Sequence, residues 1–295
     1  MSEKAQLPEK RRVSVSGILK YLGVSRSGYH AWLNRSPSLR QSKKMRIMAE
    51  IKNIHKESRQ IYGAPKITKE LHKKGTKIAE KTVGNYMREM GLKAHWVKPY
   101  TKTTINPDFR DTLKNILNEQ FNPVEPNAVW VSDITYIHTF EGFVYLTSIM
   151  DLFSRKIISW VLSRTLETVH VVEAVEKAKK VREINKPLVF HSDRGVQYVS
   201  ELFQKATVGM IKSYSKKSYP WDNACIESFH ALIKREWIYR FKILNYQHAY
   251  KLIFEYIESF YNTVRSHSYC GYLSPSQYER KYKIQLEEAA LKAVS

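Results

Sequence analysis

The sequence predicts an α/β domain, a mixed five-stranded sheet with flanking helices, preceded by an all-α helix-turn-helix region. Three observations carry that prediction. Residues 128–280 alternate apolar runs of strand length with amphipathic helical stretches. Residues 1–96 hold only short helical patterns, several of them broken by glycine. The charge divides in the same way: residues 1–110 carry 25 Lys and Arg against 8 Asp and Glu, residues 111–295 carry 24 against 20. The first part therefore holds +17 of the net +21. Such a basic arm suits a polyanion partner, because each cation near a phosphate releases condensed counterions.

The organisation that follows is a basic helix-turn-helix region over 1–96, a linker over 97–127, a core over 128–280 and a C-terminal tail over 281–295. Two cysteines, Cys225 and Cys270, make no disulfide framework, and no Cys/His set has zinc-finger spacing. No apolar run approaches the ~18 residues of a membrane span, and the opening MSEKAQLPEKRR is not a signal peptide. A cytoplasmic protein without a membrane partner is expected.

In the basic part, Val15–Leu22 has Ile18, Leu19 and Leu22 at helical spacing, Gly23 breaks it, and Ser25 can cap the next helix. That helix, 26–35, puts Tyr29, Trp32 and Leu33 on one stripe and leaves Arg26, Ser27 and His30 facing out, fit for a major groove. Met45–Ser58 reads as a basic amphipathic helix. A second helix-turn-helix runs from about Pro65 to Gly91: Ile67, Leu71 and His72 share one face, Gly75 ends it, and Val83, Tyr86, Met87 and Met90 form the next. In the linker, VKPYTKTTINPDF is followed by a short helix over 110–119 and by NPVEPN.

In the core, Val129–His138 alternates as a half-buried strand and Gly142–Leu152 is its hairpin partner. Lys156–Leu162 is a third strand, Glu167–Arg182 a helix, and Pro187–Ser192 a fourth strand. A helix over 200–206 and a strand over 211–215 complete the alternation, a meander of three strands followed by helix-separated ones.

Three acids have informative settings. Asp133 lies within the first strand in WVSDITY. Asp193 ends the fourth in VFHSDRG, where strands of α/β sheets open onto a ligand crevice. Glu227 lies on a helix that Asp222 or Asn223 can cap. At about 100° per residue from Ile226, Phe229, Ile233 and Trp237 form a stripe, with His230, Lys234 and Glu227 along one edge of it. Acids from two strands and a helix, without sulfur or several imidazoles, suit hard cations such as Mg²⁺ or Mn²⁺. Two such ions can activate an attacking oxygen and neutralise a leaving one in phosphoryl transfer. Asp151, near Arg155, and Asp222 read as structural. No nucleophile elbow accompanies His191 and Ser192, and no phosphate-cradling glycine loop is present.

Several motifs then point one way. W-x-x-D-I-T-Y (130–136), H-S-D-R-G-x-Q-Y (191–198), D-N-A-x-x-E-S-F (222–229), and Y-N-x-x-R-x-H with G-Y-L-S-P (261–275) resemble the integrase core of bacterial insertion-sequence transposases. With S-x-S-G-Y-H-A-W-L at Ser25 and I-Y-G-A-P-K-I at Ile61, almost the whole chain is similar to the second-frame (OrfB) product of the insertion-sequence-three family. The resemblance implies a ribonuclease H-like core and a catalytic, metal-binding triad of Asp133, Asp193 and Glu227. It also implies two Mg²⁺ ions, for which Mn²⁺ can substitute, and a DNA contact by Lys234, with His230 and Arg265 grouped among the DNA-binding residues. The implied reaction is cleavage at element ends and transfer of a 3′-hydroxyl to target DNA. The implied partners are terminal inverted repeats and target DNA, further copies of the chain in the DNA complex, and an upstream-frame (OrfA) protein or a frameshift fusion to it.

The chain departs from the family pattern in two places. Asp193 and Glu227 are 34 positions apart, a residue or two under the usual spacing, with the shortening expected between Ala206 and Ser213. Ala79 stands where a capping serine is usual, weakening that helix start by ~1 kcal/mol. Two other classes fit parts of the sequence: a DNA-binding regulator with a silent core, and a structure-selective nuclease that cuts without joining.

Overall fold

The computed structural model describes residues 15–95, 113–216 and 220–294. The chain forms two compact units, residues 1–52 and 53–295.

The first unit holds α1 (Val15–Tyr21), α2 (Arg26–Leu33) and the start of α3 (Leu39–Glu57). Gly23 adopts φ +66, a left-handed turn that ends α1. Ser25 Oγ accepts the Gly28 N–H at 3.1 Å, the cap that the sequence predicts. The apolar stripe of α2 is open: Tyr29 stacks on Trp32, and Trp32 and Leu33 are exposed. Among the described residues of α1 and α2, only Leu19 is buried, since so short a stretch has little apolar surface to offer itself. α3 starts six residues ahead of its expected beginning at Met45.

The second unit begins with the end of α3, then α4 (Ala64–Lys73) and α5 (Glu80–Glu89). Ile67, Thr68 and Leu71 face Val83 and Met87 in burial, and Gly75 turns the chain at φ +81. His72, expected on the apolar face, is exposed, with Nε2 2.8 Å from the Ile78 carbonyl oxygen. Ala79 provides no side-chain cap for α5.

Compactness divides the chain at 52/53, inside the basic region expected over 1–96. Residues 59–73 find their partners in residues 237–272. The Arg59 guanidinium lies 4.6 Å from the Trp237 ring centre and pairs with Glu255 at 3.1 Å. Tyr62 Oη accepts the Ser266 N–H at 2.6 Å, and Lys73 donates to the Tyr272 carbonyl at 2.7 Å. Of the helix expected over 110–119, residues 110–112 lie outside the described ones and 113–119 are irregular. Part of the backbone there bonds to the sheet edge: Lys114 O accepts the Tyr214 N–H at 3.0 Å, and the Ile116 and Leu117 N–H groups both donate to Ser213 Oγ at 2.9 Å.

The sheet contains β1 (Val129–Thr139), β2 (Gly142–Asp151), β3 (Lys156–Ser163), β4 (Val189–Ser192) and β5 (Ile211–Tyr214), in the order β3-β2-β1-β4-β5. β2 pairs antiparallel with β1 and β3, while β4 pairs parallel with β1 and β5. β2 alone therefore runs against the rest, as in the ribonuclease H-like arrangement. α6 (Thr168–Val181) covers one face, where Val171, Ala174 and Val175 join Trp130, Ile149 and Phe190 in the core. Two short helices, α7 (Val196–Val199) and α8 (Glu201–Ala206), follow β4, and Phe203 of α8 enters the same core. Ser200 Oγ caps α8 through the Phe203 N–H at 3.3 Å. The one-turn α7 is too short for periodicity to reveal.

α9 (Ala224–Glu236) packs on β1 and β2. α10 (Tyr246–Tyr256) runs into a π-helical turn, Ile257–Tyr261, and α11 (Pro275–Val294) closes the unit. The expected break at 280/281 falls inside α11. There Glu279 takes Arg182 at 2.6 Å and Lys156 at 3.2 Å, while Tyr282 meets Phe153 with ring centres 4.8 Å apart. No helix among the described residues is long and apolar enough to cross a membrane.

Asp151 is structural, but Arg155 is not its partner. The buried carboxylate accepts the N–H groups of Asn127 and Phe153, each at 3.0 Å, while Arg155 lies over the Tyr269 ring at 4.0 Å. Burial pushes the Asp151 carboxyl up from 3.8 to about 6, so the folded state holds its proton more tightly than the unfolded one. The stability this contributes is complete below pH 3.8 and is lost as pH rises through about 6. Wild type should gain roughly 1–3 kcal/mol on Asp151→Asn as pH falls from about 6 to about 4. Paired thermal melts across that window check this; parallel curves contradict it.

Candidate active site

Strand register builds the site. In the parallel β1–β4 ladder the last pair is Ser132 with Ser192. Asp133 and Asp193 are the next residues on each strand, carried forward side by side on chains ~4.8 Å apart. They emerge where the sheet order departs in opposite directions from β1, the crevice in which α/β sheets bind ligands. The backbone beneath them is pinned. Ser132 Oγ and the buried Tyr198 Oη lie 2.8 Å apart, and Asn223 Nδ2 donates to the Ser132 carbonyl at 3.4 Å.

The turn after β4 shapes Asp193. The Gly195 N–H donates to Asp193 Oδ1 at 2.9 Å, and a Cβ on Gly195 would stand 3.0 Å from that oxygen. Glycine is needed here for the close approach, since its φ of −57 is open to any residue.

α9 brings the third acid. Ile226, Phe229, Ile233 and Trp237 are buried as the helical angles predict. Exposure then grows around the edge, from buried His230 through half-buried Lys234 to exposed Glu227. Neither residue expected to cap this helix does so. Asn223 occupies the capping position but directs its amide to Ser132, and Asp222 is buried, accepting the Lys216 N–H at 2.6 Å.

The acids act on one another. Burial, then the charge on Asp133, raises Asp193 to about 6. Partial burial of its carboxyl, then the charges on Asp133 and Asp193, raises Glu227 to about 7. Burial and the same two aspartates push the Tyr198 phenol well above its ordinary value. Lys234 is lowered by burial and partly restored by Asp133, and its Nζ stands 4.7 Å from the Tyr136 ring centre. Among the described residues no group of three or more His, Cys, Asp or Glu side chains stands close enough together to hold a metal ion. The donor set still fits a hard divalent cation. It offers carboxylate oxygen alone, and its mutual repulsion is the kind that a bound cation relieves.

Two sequence assignments need correction. His230, expected to face DNA, is only 5% exposed, with Nδ1 3.3 Å from Asp133 Oδ2 and Nε2 3.2 Å from Ser148 Oγ. Arg265, also expected at DNA, is likewise 5% exposed and spends its guanidinium on Glu236 through bonds of 2.7 and 2.6 Å. Both side chains are of the kind that binds phosphate, but packing decides what they touch. Arg26 and Ser27 are exposed at the start of α2, in the first unit. Tyr198 and Gly195 lie inside the motifs noted above without an assigned task, and Asn223 is expected there only as a helix cap; Ser148 has no signal in the sequence.

The chain matches the family models for an integrase core domain over residues 123–218 and again over 208–275, and an HTH-like domain over 42–100. It is 34% identical over 272 residues to the transposase InsF for insertion sequence IS3A of Escherichia coli K12, covering 91% of this chain and 94% of that one. It is 36% identical over 250 residues to the transposase for insertion sequence element IS904 of Lactococcus lactis, covering 84% and 99%. It is 33% identical over 267 residues to an uncharacterized 31 kDa protein of insertion element IS600 of Shigella sonnei, covering 90% and 98%. Among solved structures, a simian T-cell lymphotropic virus intasome gives a TM-score of 0.45 at 16% identity, covering 78% of this chain and 74% of that one. The HTLV-2 integrase catalytic core domain in its trimeric, magnesium-complexed form gives 0.40 at 17%, covering 52% and 97%.

The buried pair yields a prediction. Arg265→Ala strands the Glu236 carboxylate and should cost about 3–5 kcal/mol, read by urea unfolding, with the affinity of the folded fraction for DNA unchanged. Wild-type stability with weakened DNA binding would restore the contact expected from sequence.

Proposed function

The chain belongs to the insertion-sequence-three family of transposases, and on that premise we propose that Asp133, Asp193 and Glu227 are its catalytic, metal-holding residues. Membership makes the chain a polynucleotidyl transferase that acts on DNA in transposition. The finer reading is cleavage at the terminal repeats of an insertion sequence, followed by attack of the freed 3′-hydroxyl on target DNA. The observation that supports it is the Ser132–Ser192 register, which carries Asp133 and Asp193 forward on neighbouring strands, with Glu227 near enough to feel both charges.

Asp133, Asp193 and Glu227 would hold two magnesium ions, which when bound supply charge neutralisation at the attacking and leaving oxygens. The residues of the chain do the rest. Asp133 and Asp193 sit on fixed strands and set where a phosphodiester can lie. Glu227, on the exposed edge of α9, closes toward them from the other side. Lys234, two turns along the same edge, offers a cation to a neighbouring phosphate, and Tyr136 beneath it offers a ring face for a base or sugar. No covalent bond to the protein is required. The exposed start of α2, with Arg26 and Ser27, suits a groove or backbone contact. The basic excess in residues 1–110 supports a wider DNA footprint. Further copies of the chain and an upstream-frame protein belong to this reading as assembly partners.

Asp133→Asn, Asp193→Asn and Glu227→Gln should each reduce cleavage and joining of labelled element ends by about a hundredfold or more, while DNA affinity in chelator persists. Near-normal activity in any one removes that residue from the set. Cutting without joining by wild type would favour the nuclease reading, and binding without cutting the regulator. Lys234→Ala should weaken binding to element ends several-fold and lower its salt dependence by about one phosphate contact; unchanged affinity and slope would remove Lys234 from the DNA surface.

A further inference from the structure

We infer that His230 is a positioning residue for Asp133: hydrogen-bonded to Ser148 and standing at ion-pair distance from the carboxylate, it forms a buried relay that sets how the aspartate presents its oxygens. The inference rests on the proposed role of Asp133 as a metal-holding acid and adds two residues to it.

Strand pairing brings the first two members together. Asp133 on β1 stands directly opposite Ser148 on β2. Directly opposed residues of an antiparallel pair project from the same face, with Cβ atoms about 5 Å apart. α9 packs on that pair of strands, and His230 lies three residues beyond Glu227 on it. Its imidazole bridges the two: Nδ1 is 3.3 Å from Asp133 Oδ2 and Nε2 is 3.2 Å from Ser148 Oγ.

Burial narrows what this bridge can do. Ser148 is 0% exposed and His230 5%, so neither reaches a DNA strand, and the serine is no nucleophile for an outside substrate. Ser148 holds Nε2, which turns Nδ1 toward Asp133, and the contact there is made with Oδ2. Packing holds the ring in place, since Phe229 beside it on α9 is itself buried. A carboxylate free to rotate about its last bond would lose this preference, and ligating groups depend on such outer partners for affinity.

The test is Mn²⁺ binding to the full-length chain without DNA, followed by the electron paramagnetic resonance signal of the free ion. His230→Ala should weaken binding by about tenfold or more. His230→Asn, whose amide can occupy the place of Nδ1, should recover part of the loss. Ser148→Val, which keeps the shape without the hydroxyl, should weaken binding to a smaller degree, and adding it to His230→Ala should weaken it no further. If His230→Ala does not fold by circular dichroism, His230→Asn and Ser148→Val decide alone: both at wild-type affinity overturn the relay. So does a His230→Ala protein with unchanged Mn²⁺ affinity and weakened DNA binding in chelator, which would make the residue a DNA contact. Equal losses in His230→Ala and His230→Asn with Ser148→Val unaffected would reduce the imidazole to packing and also overturn it. Asp133→Asn separates the two levels of the argument. Unaltered Mn²⁺ binding in that variant overturns the metal reading itself, whereas its loss alongside normal binding in the His230 and Ser148 variants overturns only the relay.

Discussion

Like charges held abreast by a hydrogen-bonded ladder are the constraint on which the rest of this fold depends. Asp133 and Asp193 cannot move apart, because the pairs from Val129–Val189 to Ser132–Ser192 fix the strands that carry them. Burial, and then the charge on Asp133, raises Asp193 from 3.8 to about 6. The folded protein bears this cost at its functional crevice and offsets it with the core behind. There, Trp130, Phe190 and Phe203 pack under α6, and Tyr198 ties its hydroxyl to Ser132. The strain has a use, since it favours any cation that enters.

α9 translates the same constraint into a third direction. Its buried stripe anchors the helix, its middle is joined through His230 to β1 and β2, and its end is clamped by the Glu236 carboxylate. Burial alone would push that carboxyl up, but the Arg265 hydrogen bonds and charge, with a bond from Tyr256 at 2.6 Å, hold it below its ordinary value. Arg265 thus fixes the end of the helix that carries Glu227 and Lys234. The segment that supplies Arg265 also receives Tyr62 and Lys73, so the helices after Asn53 are fastened to the chain that positions α9.

Much of this was legible in the sequence because period and position carry it. The alternation in Val129–His138, the meander to Leu162 and the helical stripe from Ile226 to Trp237 each predict an element within a few residues of its observed bounds. The three acids draw notice in the sequence for a related reason: two at strand positions and one at a helix edge stand out against an otherwise apolar pattern. What escaped was tertiary. A buried Arg265 and a solvent-facing one look the same in a linear motif, and nothing near Ser148 announces that its strand partner is Asp133. Prolines and lost periodicity mark 97–127 as irregular, but irregular chain can still lie along a sheet edge, as Lys114 and Leu117 do beside β5. Asp222 looked like a helix cap because its spacing suited one; a backbone N–H six residues earlier competes for it and wins.

The most direct test of the central claim is anomalous diffraction at the manganese edge from crystals of the chain soaked in Mn²⁺. The account predicts density with oxygens of Asp133, Asp193 and Glu227 at about 2.0–2.2 Å, Glu227 having swung inward to complete the set. Density confined to other residues, or none between β1 and β4 at saturating Mn²⁺, would contradict it.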